Sequence, residues 1–249
     1  GFKLLDKINY RKNITVLDIG SGLGFPLLEV AMRLGNSCKV YGIDPWETAI
    51  ERVKTKIEIY DITNVEIISG VAENISLPNN SIDLIISNNG LNNVDDLNKA
   101  LNECSRISRP GSQLLFTYNT DKTMIEFYSV FEQVLHDKNM LDEISLMKEH
   151  IHKKRKPVEE FVCLLNKNGF MINEIQNDQF DYKFVNASAM FNHFLIKLAF
   201  IGSWFEFIPE ERRKEVFTEI KKSLNTMAVQ NGYLQLTIPY VLINSTKGE

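Results

Sequence analysis

The residues most able to do chemistry lie in one short string, Val16-Leu17-Asp18-Ile19-Gly20-Ser21-Gly22-Leu23-Gly24. An apolar run ends in an acid, and glycines then recur at every second position. Backbone without side chains lets a ligand lie against bare amides, with the N–H groups of a following helix facing it. The spacing separates ligand classes. A dinucleotide turn needs G-x-G-x-x-G, but Phe25 occupies the third glycine slot; a P-loop needs G-K-[ST], but no lysine follows. The carboxylate of Asp18 would repel a polyphosphate and suits a ligand carrying positive charge, such as an amine or a sulfonium.

A second acid, Asp44, closes the run Lys39-Val40-Tyr41-Gly42-Ile43 about twenty residues beyond the glycine turn, where a carboxylate can accept both hydroxyls of a ribose. It can also cap a helix over 47–56. Pro45 and Trp46 offer apolar surface for an adenine face. A third run, Val65 to Ser69, leads into Gly70-Val71-Ala72-Glu73-Asn74. A fourth, Ile82-Asp83-Leu84-Ile85-Ile86, ends in Ser87, Asn88 and Asn89.

These residues need elements to hold them. The run 14–19 reads as a buried parallel strand, and 25–34 has apolar residues at helical spacing with Gly35 as a stop. Strands at 39–43, 65–69, 82–86 and 113–118 follow, the last after the turn Arg109-Pro110-Gly111. Helices are predicted from Met124 to Leu135, over 139–151, and from Pro157 to Leu165. Asn168-Gly169-Phe170 then leads into a strand over 171–175. A charged helix spans 209–228, and a last alternating strand spans 233–243, with Pro239 placing it near an edge or bulge.

The D-x-G-x-G-x-G string, the acid at 44, the Leu77-Pro78 to Ser87 segment and the Arg109-Pro110-Gly111 turn together resemble the class I S-adenosylmethionine-dependent methyltransferases over residues 14–120. The resemblance implies an α/β fold: a Rossmann-like seven-stranded, mostly parallel sheet with a final antiparallel strand, helices on both faces, and helical insertions. It implies S-adenosylmethionine as cofactor, S-adenosylhomocysteine as product, and in-line displacement at the sulfonium methyl. The cofactor residues it points to are Asp18, Gly20, Ser21, Gly22, Asp44, Pro45, Ala72, Glu73, Asn88 and Asn89. The end of the fourth strand is expected to hold the methionine amine through backbone carbonyls. One position departs from the pattern: the family usually has Gly-Asp-Ala after the third strand, its acid recognising the adenine amino group, and here that position is Val71. Adenine recognition is left to the Ala72 backbone, to Glu73 or to a water.

The chain of 249 residues is expected to form a single domain over 1–249, with a cofactor-binding half at 1–120 and insertions at 121–151 and 183–230 acting as a substrate lid. The second insertion carries Phe184, Phe191, His193, Phe194 and Trp204, a density that suits an apolar or aromatic small-molecule acceptor. Aromatic residues at helical spacing equally suit a core. His193 and Tyr118 are the candidate catalytic side chains. The chain begins at Gly1 without a signal pattern, so the family's N-terminal lid helices are expected to be missing or very short.

Hydrophobic content of 44% with 24% charged residues is a soluble globular balance. No apolar run reaches transmembrane length, which argues against a membrane partner. The net charge of −4, without a long basic patch, disfavours nucleic acid. Cys38, Cys104 and Cys163 lie far apart, suggest a reducing cytoplasm and form no metal-ligating pattern. The oligomeric state stays open. Two other functions remain: an aminopropyltransferase on the same scaffold, disfavoured because Phe25-Pro26-Leu27 lacks that family's acidic cluster, and a catalytically silent protein that binds the cofactor as a ligand.

Overall fold

Alternation along short apolar runs generates the sheet. In β1 (Thr15–Ile19) Val16 points to one side and Leu17 and Ile19 to the other, and each side is buried. A strand buried on both faces must have a helical layer on each. The computed structural model describes residues 1–249. Its seven strands are β1, β2 (Lys39–Asp44), β3 (Val65–Ser69), β4 (Ile82–Asn88), β5 (Ser108–Asn119), β6 (Phe170–Phe184) and β7 (Leu234–Lys247). They form one sheet in the order β3-β2-β1-β4-β5-β7-β6. The pairings among β1 to β5 are parallel, and β7 runs antiparallel to β5. The strand order reverses between β1 and β4, and in such sheets that switch point is where ligands sit.

Two compact units divide the chain. Unit 1 comprises 1–119, 157–178 and 240–249; unit 2 comprises 120–156 and 179–239. In unit 1, helix α1 (Phe2–Leu5) and helices α2 (Leu27–Leu34) and α3 (Glu47–Ile59) cover one sheet face, with Leu27, Val30 and Val53 buried against Val16, Val40, Leu84 and Ile86. Helices α4 (Leu97–Ile107) and α7 (Val158–Lys167) cover the other, where Leu101, Cys104 and Phe161 meet Leu17, Ile85 and Phe116. Gly35 closes α2 at φ 66° and ψ −174°, a positive-φ conformation that a side chain would strain.

Unit 2 is built from α5 (Ile125–Asp137), α6 (Leu141–Lys154), α8 (Ala187–Asn192), α9 (Phe194–Ala199), α10 (Ile201–Glu206) and α11 (Glu210–Asn231), with the outer parts of β6 and β7. Val216, Ile220, Leu224 and Ala228 recur every fourth residue on α11 and form its buried stripe. They pack with Phe127, Phe131 and Trp204 in one core. Trp204 stacks on Phe127 at 4.0 Å between ring centroids, and its indole N–H donates to the Tyr128 hydroxyl at 3.1 Å. No helix is long and apolar enough to cross a membrane.

Three elements differ from the sequence expectation. β6 runs to Phe184, nine residues past the predicted strand end at 175, because pairing beside β7 holds its polar stretch extended. β5 begins at Ser108, and the expected Arg109-Pro110-Gly111 turn lies within it as an irregularity, marked by the register shift between Ile82 and Leu84 and by Gly111 at φ 76°. β7 runs to Lys247, four residues past the expected end at 243, and is interior where it pairs with β5; Pro239 keeps the expected edge-like place on that side. It falls one residue beyond the ladder with β5, where its missing N–H breaks no bond to that strand.

Candidate functional site

At the carboxyl ends of β1 to β4 lies a cavity of about 560 Å³, lined wholly by residues of unit 1. Two loops wall it by touching backbone to backbone. A Cβ on Gly20 would lie 2.6 Å from Gly90 Cα, and one on Gly90 would lie 2.2 Å from the Ile19 carbonyl oxygen. Only glycine fits either position. The Ser87 hydroxyl fastens the same junction, donating to the Ile19 carbonyl at 2.9 Å and accepting from the Leu91 N–H at 3.2 Å. Gly22 is different: its nearest non-neighbour atom would be 3.9 Å from a Cβ, so its bare side is space on the cavity wall.

Asp44 sets the shape of the glycine turn. Its Oδ2 accepts from the Gly22 N–H at 2.8 Å and its Oδ1 from the Trp46 N–H at 2.9 Å. The Gly20 and Ser21 amides both reach the Ile43 carbonyl, at 2.9 and 3.2 Å. Hydrogen bonds to a carboxylate are strong, about 1.5–3 kcal/mol each, so this corner is fixed before any ligand arrives. Asp44 caps α3 only indirectly, since Trp46 is the N-cap residue. Glu73 is engaged as well: its Oε1 accepts from the amides of Asp95 at 2.7 Å and Asp96 at 3.1 Å.

Of the ten residues read from the sequence as cofactor-binding, Gly20, Gly22, Asp44, Pro45, Ala72, Glu73, Asn88 and Asn89 line this cavity. Asp18 and Ser21 do not. Asp18 shares the strand face of Val16, beneath the start of α2, and is fully buried. Neither of its oxygens has a hydrogen bond of normal geometry, and the Leu27 amide only partly offsets the loss of water. Burial, with Asp44 nearby, pushes its carboxyl well above the ordinary carboxylate range. The direct contact with a cationic ligand expected of Asp18 is therefore replaced by a position behind the turn. Ser21 is turned toward Gly42.

Sequence reasoning passed over Gly90, Asn93, Val94 and Asp95, all on the cavity wall. The Asn89-Gly90 dipeptide is a turn signal that could have revealed the first. Asn89 holds a left-handed φ of 62°, and its side-chain oxygen is buried without a partner. Tyr118 is a fully buried core residue stacked on Phe161 at 4.2 Å. His193 is the N-cap residue of α9 in unit 2, 5.5 Å from the Phe184 ring and 5.0 Å from the Phe194 ring. Trp204, expected in an acceptor pocket, is 1% exposed and belongs to the unit 2 core.

A mostly parallel sheet with a glycine turn after β1, an acid ending β2 and a cavity at the switch point defines a Rossmann-like nucleoside-binding protein. A methyltransferase domain family matches residues 10–219, and the chain belongs to the class I S-adenosylmethionine-dependent methyltransferases. A curated relative, the demethylmenaquinone methyltransferase of Geobacillus sp. strain WCH70, is 28% identical over 127 residues, 51% of this chain and 54% of its own. The chain spans about half the length of the curated relatives it matches. Among solved structures, the YcgJ protein from Bacillus subtilis superposes with a TM-score of 0.64 at 19% identity, covering 100% of this chain and 97% of that one. A SAM-dependent methyltransferase from Aquifex aeolicus gives 0.54 at 21% identity, covering 70% and 81%. At those identities the likeness is one of fold.

The residues present fit the family's cofactor, S-adenosylmethionine. The cavity wall carries the carboxylates of Asp44, Glu73 and Asp95 and no lysine, arginine or histidine, as a cationic ligand requires. The empty side of Gly22 and the unpartnered Asn89 oxygen add bare backbone and a free acceptor.

Proposed function

We propose that the protein is an enzyme that methylates a small-molecule acceptor at the expense of S-adenosylmethionine. The observation that carries this is the cavity at the switch point, whose charged side chains are all acids and which is closed by backbone at Gly20 and Gly90. When bound, the cofactor supplies a methyl group already activated by its sulfonium. The work left to this chain is binding and orientation, which can contribute roughly 7–11 kcal/mol over reaction in solution. In this reading the Gly22 face receives the ligand, Asp44 presents its remaining acceptor capacity to ribose hydroxyls, and the Asn88–Gly90 turn holds the amino-acid end. Unit 2 by itself carries exposed and half-buried aromatic surface in Phe194, 68% exposed, and in Phe191 and His193, chemistry that suits an apolar or aromatic acceptor. His193 Nδ1 is buried without a partner, which suits it to positioning an acceptor. The name of the curated relatives makes a quinol such as demethylmenaquinol the first acceptor to try. A reducing compartment, the cytoplasm, suits the three free thiols, of which Cys163 is exposed.

The test has two stages. Calorimetric titration with S-adenosylhomocysteine should show one site per chain with micromolar affinity. Transfer of tritiated methyl from labelled S-adenosylmethionine to a panel of quinols, phenols and amines should then give acceptor-dependent product. Absence of binding at millimolar ligand overturns the cofactor reading. Tight binding without transfer to any acceptor returns the protein to the class of silent binders.

A further inference from the structure

Three carboxylates face the cavity, and two of them are already engaged by backbone. Asp44 holds the Gly22 and Trp46 amides, and Glu73 holds the amides of Asp95 and Asp96. Asp96 itself caps α4, accepting from the Lys99 N–H at 3.0 Å. Asp95 is the exception: it lines the cavity, it is exposed, and its carboxylate enters no hydrogen bond or ion pair. Its backbone is nevertheless fixed, because Glu73 grips its amide at 2.7 Å. A tethered loop thus presents one free carboxylate to the cavity.

The neighbouring wall lacks polar side chains of its own. Pro45, Trp46, Val71, Ala72 and Val94 supply flat or apolar surface, with Trp46 39% and Val71 45% exposed. A planar heteroaromatic ring can pack there, but its edge needs an acceptor for any N–H it carries, since an unpaired donor is costly. We propose that Asp95 accepts the exocyclic amine of the adenine moiety and makes the site selective for a 6-aminopurine, supplying from the β4–α4 loop the acid that the β3 end lacks at Val71. The assignment rests on the cofactor reading above and goes beyond it by naming a selectivity residue outside the expected loop. Glu73 is its positioning residue, acting through the Asp95 amide.

The test is equilibrium binding by calorimetry, with no turnover needed. S-adenosylhomocysteine is compared with its deaminated counterpart, S-inosylhomocysteine, which carries a 6-oxo group in place of the amine. The unmodified protein should prefer the amino form by about tenfold or more. Asp95→Ala should lose most of that preference, chiefly by weaker binding of the amino form, while its melting temperature stays unchanged. Asp95→Asn, whose amide can donate to a 6-oxo group, should narrow or reverse the preference. Unchanged discrimination in both variants overturns the role of Asp95 and leaves the cofactor reading standing. Failure of the unmodified protein to bind either nucleoside overturns both.

Discussion

Replacing Gly90 with alanine tests whether the backbone contact between the β1 and β4 turns holds the cavity together. The new Cβ would start 2.2 Å from the Ile19 carbonyl oxygen and 2.7 Å from Ser87 Oγ. Because real Cβ contacts stay above 3.0 Å, the Ile19 carbonyl must move by at least 0.8 Å, the difference of those two distances. The Ser87 hydroxyl holds that carbonyl at 2.9 Å from the same side as the new Cβ, so a shift away from the Cβ also lengthens and weakens this bond. Overpacking of this kind costs about 1–3 kcal/mol and a weakened buried hydrogen bond about 1 more, giving roughly 2–4 kcal/mol. At about 2–4 °C per kcal/mol for a chain of this size, the melting temperature should fall by about 5–15 °C. Displacement of Ile19 carries Gly20 with it, so affinity for S-adenosylhomocysteine should fall at least about tenfold, since an ångström of misplacement is a large error in a rigid site. Scanning calorimetry and titration calorimetry measure the two effects. Gly111→Ala is the control: φ is 76° there but nothing lies within 4 Å, so only a left-handed backbone cost of about 1–2 kcal/mol is expected, with unchanged affinity. A Gly90→Ala protein with the melting temperature and affinity of its parent would refute the contact argument.

Gly22→Ala should separate ligand from fold, because the nearest protein atom to the new Cβ is 3.9 Å away: stability falls by about 1–2 kcal/mol, while affinity for S-adenosylhomocysteine drops about tenfold or more, and unchanged affinity would move the ligand elsewhere. Asp18→Asn addresses pH. The folded carboxyl titrates well above the ordinary value near 3.9, at which the unfolded chain releases its proton, so the folded form binds more protons in between and stability falls as pH rises through that window. The Asn variant should lose this slope in urea titrations run at a series of pH values upward from about pH 4, and a parent-like slope would refute it. In unit 2, Trp204→Ala should cost about 3–5 kcal/mol, and Trp204→Phe, which keeps the stack on Phe127 but loses the bond to Tyr128, about 1 kcal/mol plus a packing penalty, read by denaturant midpoints. Equal costs would show that the ring contact contributes little.

Local chemistry made much of unit 1 legible. The period of the strand runs at 15–19, 39–44, 65–69 and 82–88, and the glycine and Leu-Pro-Asn turns between them, depend on residues close in the chain, so the parallel half of the sheet could be read directly. So could Asp44, because the distance from the glycine turn to the end of the second strand follows from one βα unit. The opposite was true where partners are far apart in sequence. The polar stretch from Gln176 to Asp181 looks like a loop and becomes strand because β7 lies beside it. The aromatic run that suggested a pocket around Trp204 closes on Phe127 and Tyr128, more than seventy residues earlier, and becomes a core.

The sequence by itself determined the class of ligand: side-chain-free backbone and carboxylates without cations suit a positively charged nucleoside whatever the exact placement. Which carboxylate lines the cavity was decided only in three dimensions. Asp18 and Asp44 are alike as residues, but strand alternation turns the first under α2, away from water, and sets the second at the open end of β2. Gly90 became indispensable through a carbonyl seventy-one positions earlier, and Asp95 joined the cavity because Glu73 reached across to its amide. Such contacts depend on how separate loops pack at the sheet's switch point, and a linear string of residues carries no record of that distance.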